Sequence, residues 1–109
     1  MDTVFNRVKV CVFTPIENEE SLRVAIGEAG GGIIGNYRYC SFVSKGTGWF
    51  EPQKGAQPTI GKLSQLESVS EVKIEFQCNY DQIAELIKVI KDAHPYEEVP
   101  IEVFPMLDF

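Results

Sequence analysis

Near its end the chain places an imidazole, a phenol and two carboxylates within five residues: His94, Tyr96, Glu97 and Glu98, inside the run AHPYEEVPIEVFP over 93–105. Groups of this kind can hold a divalent cation, bind a small polar ligand, or pair a base with a carboxylate that orients it. His94 is the only histidine, so any imidazole chemistry belongs to it. Proline at 95 disfavours helical backbone for the residue before it, so a helix arriving at His94 should stop there. At a helix C-terminus the negative end of the dipole favours imidazolium over imidazole. The plainer reading of the same residues is a helix-to-strand connection closed by a capping histidine.

Two further segments are conspicuous, Asn36–Cys40 (NYRYC) and Lys45–Gly48 (KGTG). From them Asn36, Tyr37, Cys40, Lys45, Gly46 and Thr47 join His94, Tyr96, Glu97 and Glu98 as candidate ligand-binding residues. A divalent metal ion is the one cofactor that these residue types suggest. Its candidate ligands are His94, Glu97 and Glu98, with Cys40 able to join across a subunit interface, although zinc and copper prefer three or four well-placed donors. Catalysis would use His94 beside Glu97 or Glu98, with Tyr96 as a weak acid. No nucleophile elbow, metal motif or phosphate cradle accompanies them, so no catalytic residue is assigned and a hydrolase is the weakest reading. The run GGGIIG over 30–35 matches G-x-G-x-x-G letter by letter. A dinucleotide loop must follow a strand and open a helix, and here a helix precedes and a strand follows. The run is read as a flexible connector.

The elements that position these groups follow from periodicity. Arg7–Phe13 (RVKVCVF) alternates as a strand, with Val8, Val10 and Val12 on one face and Lys9, Cys11 and Phe13 on the other. Glu17–Ala29 carries Leu22, Ala25, Ile26 and Ala29 at helical spacing, with acidic residues in its first turn and Gly30 placed to close it. Tyr37–Ser44 alternates as a second strand, and Gly48–Glu51 is expected to pair with it across a Lys45–Thr47 turn. Over 52–68 periodicity fades, and Ile60, Leu63 and Leu66 suggest that this stretch packs down. Glu71–Cys78 is the cleanest strand, with Val72, Ile74, Phe76 and Cys78 inward. Asn79 and Gln82 form a capping box for a helix whose apolar face is Ile83, Leu86, Ile87 and Ile90. Ile101–Phe104 closes the chain as a strand. Trp49 and Phe50 are expected in the core or at a subunit interface.

The order β-α-β-β-α-β predicts a single α+β domain over 1–109, a ferredoxin-like sandwich with an antiparallel sheet and both helices on one face. The bare face needs a cover. Apolar residues on both faces of the first strand, and Phe104, Met106, Leu107 and Phe109, suggest that a second copy supplies it, making a homo-oligomer. A length of 109 residues suits one core, burying roughly 65% of the unfolded surface. A net charge of −6 argues against nucleic acid and against an anionic membrane surface. No apolar run spans a bilayer and the first residues are no signal peptide, so a cytoplasmic location is expected. Three widely spaced cysteines without a C-x-x-C pair are expected to be buried, reduced thiols.

Taken together, HPYEEVPIEVFP (94–105), IGNYRYCSF (34–42), SKGTGWFEP (44–52) and GAQPTIGKL (55–63) closely resemble the domain inserted in YqfO-type proteins of the Nif-three-like family. The resemblance runs from about Val8 to Leu107. More distantly, the HPYE–VP run and the fold resemble the CutA divalent-cation-tolerance proteins, which share a trimeric architecture with PII signalling proteins. The resemblance implies a CutA/PII-like module, a homotrimer as the first choice of assembly, and a regulatory role in binding a small molecule or a protein partner between subunits. A CutA-type divalent-metal-binding protein is the alternative it offers. The full-length family carries a two-metal centre in flanking segments, which one histidine cannot build, so the family's cyclohydrolase label is not expected to transfer.

Overall fold

The structure is a computed structural model that describes residues 5–107. Its elements are β1 (Arg7–Pro15), α1 (Glu19–Glu28), β2 (Phe42–Phe50), β3 (Glu67–Asn79), α2 (Ile83–Ala93) and β4 (Ile101–Met106), with a short 3₁₀ turn leading into each helix. The strands form one sheet in the order β2-β3-β1-β4, every neighbouring pair antiparallel. This is the expected ferredoxin-like α+β sandwich.

Alternation in β1 and β3 is what builds the core. Pairing sets Val8 opposite Cys78, Val10 opposite Phe76 and Val12 opposite Ile74, so all six point to the same side. Leu22 and Ile26 of α1 and Leu86 and Ile90 of α2 pack onto them, which places both helices on that one face. Full burial of each large aliphatic side chain contributes about 1.5–3 kcal/mol. Gly30 ends α1 at φ 96°, a left-handed conformation that glycine adopts without a steric penalty. The Asn79 N–H donates to Gln82 Oε1 at 3.2 Å, the reach-back half of the expected capping box.

The β2 region departs from expectation. Lys45, Gly46 and Thr47 form no turn; β2 runs straight through them, pairing Lys45 with Val72, Gly46 with Glu71 and Thr47 with Ser70. Neither Gly46 nor Gly48 has positive φ, so the glycines punctuate nothing here. Tyr37–Cys40 is not strand either. A two-residue turn at Gly35–Asn36 is held by reciprocal Ile34–Tyr37 backbone bonds of 3.0 and 2.9 Å, and Tyr39 takes φ 59°. Tyr39 then lies against α1, where a β-carbon on Gly27 would overlap its ring. The β2–β3 connection is the whole of 51–66. In it Pro52 is buried, but Leu63 and Leu66 are 49% and 66% exposed rather than packed. Cys11 and Cys78 are buried free thiols as expected, whereas Cys40 is only half-buried.

The face away from the helices is mixed. Phe42 and Phe104 stand on it, 67% and 47% exposed, beside a Lys9–Glu75 ion pair of 2.6 Å that covers the buried Cys11. Residues 67–70 of β3 pair only with β2, because β1 ends opposite Glu71. The two strands therefore project beyond the sheet as an arm. The radius of gyration is 15.3 Å, against about 13 Å for a compact domain of this length. The accessible surface of 7365 Å² exceeds the ~6,100 Å² expected of a monomer of 12.2 kDa. Phe109 lies outside the described residues. No helix among those described is long and apolar enough to cross a membrane.

Candidate functional site

At the base of that arm a groove of about 480 Å³ opens. Phe13 and Glu71, from the bare face of β1 and β3, line its floor, and Gly48–Glu51 brings in the end of β2. The 51–66 connection and Tyr96–Glu98 line the remainder. Two hydrogen bonds tie these last segments together: the Gln57 N–H donates to Glu97 Oε2 at 2.9 Å, and Thr59 Oγ1 donates to the Pro95 carbonyl at 2.8 Å.

His94 sits behind the groove rather than in it. It is the residue that ends α2, with extended backbone (φ −84°, ψ 141°) as its following proline requires. The residue is 7% exposed. The Tyr96 N–H donates to Nδ1 at 3.1 Å, so Nδ1 carries no hydrogen; Nε2 carries it and donates to the Phe13 carbonyl at 2.6 Å. Burial holds the imidazole below its ordinary pKa, outweighing the upward pull of the Phe13 carbonyl and of Glu71. The expected imidazolium is thus corrected to a neutral imidazole, because Nδ1 accepts the Tyr96 N–H and burial disfavours the charged ring. His94 positions the loop by joining it to β1.

Tyr96 is the residue this arrangement delivers. Its ring lies 4.9 Å from that of His94, and its hydroxyl donates to Glu71 Oε2 at 2.7 Å. Burial and the Glu71 carboxylate both push the phenol above its ordinary pKa, so it acts as a hydrogen-bond donor. The other Glu71 oxygen occupies the space where a Gly48 β-carbon would be.

Of the residues singled out from sequence, Tyr96, Glu97 and Glu98 meet in the groove. Lys45, Gly46 and Thr47 line an adjoining depression of about 340 Å³ that shares Phe13, Gly48 and Glu71 with it. Asn36, Tyr37 and Cys40 line neither. His94, Glu97 and Glu98 are not gathered as metal ligands: both imidazole nitrogens are engaged, Glu97 and Glu98 face the groove, and no group of three metal-binding side chains occurs among the described residues. Sequence reasoning missed Phe13, Glu51, Glu71 and the 52–60 wall. Glu71 had one signal, a carboxylate opening the cleanest strand, but nothing local announced its partner.

An antiparallel ferredoxin-like sandwich with a bare outer face and a groove at one end of it is the class that fold and site define. The Shewanella sp. SIB1 CutA1 structure shares this fold, with a TM-score of 0.73 over 98% of this chain and 87% of that one at 12% identity. In sequence the chain is 44% identical, over 98 residues, to the "GTP cyclohydrolase 1 type 2 homolog" of Halalkalibacterium halodurans, covering 90% of this chain and 26% of that protein. The crystal structure of a Bacillus cereus protein related to NIF3 superposes with a TM-score of 0.84 at 42% identity, over 98% of this chain and 27% of that one. No protein-family model matches the chain. The chain is a homologue of the NIF3-related proteins, matching one segment that makes up about a quarter of their length.

Proposed function

We propose that this chain is an oligomeric binding module, a homotrimer as first choice, that takes a ligand in the groove beside Tyr96, Glu97 and Glu98. The observation that carries this reading is the groove itself. Its floor is fixed by the Glu71–Tyr96 hydrogen bond and its wall by the Gln57–Glu97 and Thr59–Pro95 bonds, so it is shaped before any ligand arrives. Its volume falls within the ordinary range for small-molecule sites, roughly 300–1,000 Å³. The oligomer rests on exposed Phe42 and Phe104 and on the excess surface of the protomer. The activity named for the relatives belongs to proteins of which this chain matches about a quarter, and catalysis is no part of this reading.

The test uses the single tryptophan, Trp49, which lines the groove. A panel of anionic, neutral and cationic small molecules is titrated while Trp49 fluorescence is followed, with light scattering giving the mass of the assembly. Binding by some member, lost in Ala56→Trp, which fills the groove, supports the reading. A panel without a binder, or binding that Ala56→Trp leaves unchanged, overturns the site, and a monomeric mass at micromolar concentration overturns the assembly.

A further inference from the structure

The lining of the groove is selective in both shape and charge. Phe13, Trp49, Phe50 and Tyr96 are four aromatic residues of the lining, and prolines at 52, 58 and 100 stiffen the backbone there. The same lining holds four carboxylates, Glu51, Glu71, Glu97 and Glu98, and no lysine, arginine or histidine. Among the described residues none of the four takes part in an ion pair; the chain's two ion pairs there, Lys9–Glu75 and Arg23–Glu19, lie elsewhere. Glu71 and Glu97 are held by neutral donors, the Tyr96 hydroxyl and the Gln57 N–H, which orient a carboxylate without neutralising it. Aromatic faces attract cations through their quadrupole, and more so where water is partly excluded. Carboxylates at the rim add a field of the same sign. An anion would meet these four carboxylates, with lysines at 45 and 73 only in the adjoining depression, and a neutral apolar molecule would leave the negative charge uncompensated.

The geometry points to a small organic cation, an alkylammonium or alkyldiammonium whose methylene chain lies on the aromatic floor while its charged ends meet the carboxylates. This rests on the reading of the groove as a ligand site and names the ligand's chemical class. A bare metal ion fits less well, because His94 offers no free nitrogen and the rings offer a metal nothing to coordinate. A hydrated magnesium ion would also forgo the aromatic contact.

The test compares hexamethylenediamine with hexanediol and adipate, which have the same six-carbon chain with neutral or negative ends, and with magnesium alone. Trp49 fluorescence and calorimetry are read on the full chain. Hexamethylenediamine is expected to bind at least about tenfold more tightly than the others, and to weaken severalfold when salt rises to about 0.5 M. Glu51→Gln and Glu98→Gln should each reduce its affinity by about threefold to tenfold, while Glu102→Gln, which removes an equal charge from a residue outside the groove, should not. Equal binding of hexanediol, or indifference to Glu51→Gln and Glu98→Gln, would overturn the cation assignment and leave the ligand site standing. Magnesium binding as tightly as the diamine would overturn the organic character of the ligand. Silence from every probe, including the wider panel above, would remove the ligand site itself.

Discussion

Gly48 and Glu71 share one volume: the carboxylate of Glu71 fills the space that any side chain at 48 would claim, and from there it receives the Tyr96 hydroxyl at 2.7 Å. The glycine is in ordinary strand conformation, so its role is spatial. It lets an acidic side chain turn in across the edge strand and anchor a loop 25 residues away.

Gly48→Ala is therefore expected to behave against the usual trend. Alanine normally stabilises a strand relative to glycine by roughly 0.5–1 kcal/mol. Here it should displace the end of a flexible side chain and sever the Tyr96 bond, a loss of about 1 kcal/mol that cancels the gain and leaves urea stability at or up to about 0.5 kcal/mol below wild type. It should also alter Trp49 fluorescence.

Removing only the hydroxyl, in Tyr96→Phe, should cost about 1 kcal/mol for the same bond without a steric change. The two substitutions combined should cost clearly less than their sum, since they delete one interaction. The raised phenol pKa has a sign that can be checked. The unfolded tyrosine ionises near its ordinary value, so the contribution is whole below about pH 10 and is lost as pH rises beyond it. Tyr96→Phe should remove that alkaline fall.

His94 gives the opposite slope. Its pKa is depressed on folding, so its contribution is present above the unfolded value of about 6.5 and is lost as pH falls through the folded one. Urea stability of the wild type should decline as pH falls from neutrality through about 6.5, above the ordinary carboxylate range. His94→Gln should lower stability at neutral pH and flatten that decline. An unchanged slope would show that the imidazole is not the group responsible.

On the bare face, Phe104→Lys removes an exposed aromatic ring beside Lys9, its partner in the β1–β4 register. It should shift the assembly towards smaller species in light scattering while leaving the circular dichroism of the protomer intact. Buried and exposed aliphatics should separate just as plainly. Ile90→Ala, in the core, should cost about 2–5 kcal/mol, and Leu66→Ala, exposed at the end of the 51–66 connection, should stay within about 0.5 kcal/mol.

These contrasts mark how far the sequence could be read. The alternation of Val8, Val10 and Val12 against Val72, Ile74 and Phe76, and the spacing of Leu22 with Ile26 and Leu86 with Ile90, announced the core and the shared helix face. Each pattern lies within one element, and its period is that element's own geometry. Pro95 likewise located the end of α2 by a purely local clash. The glycines at 46 and 48 misled for a related reason. Within nine residues they look like a turn, and only the thirteen-residue partner β3 shows that they lie inside a paired strand.

What the chain determined by itself was the order, type and inward faces of its strands and helices, because those preferences are written within a few neighbouring residues. What tertiary structure alone decided was the chemistry. The carbonyl that anchors the His94 ring lies 81 positions away, the burial that keeps the ring neutral comes from packing, and Tyr96 meets its acceptor across 25. The groove arises at the base of an arm longer than its neighbouring strand, where the 51–66 connection meets the loop at 95–98. No local window holds such pairings, since they follow from strand order and relative strand length.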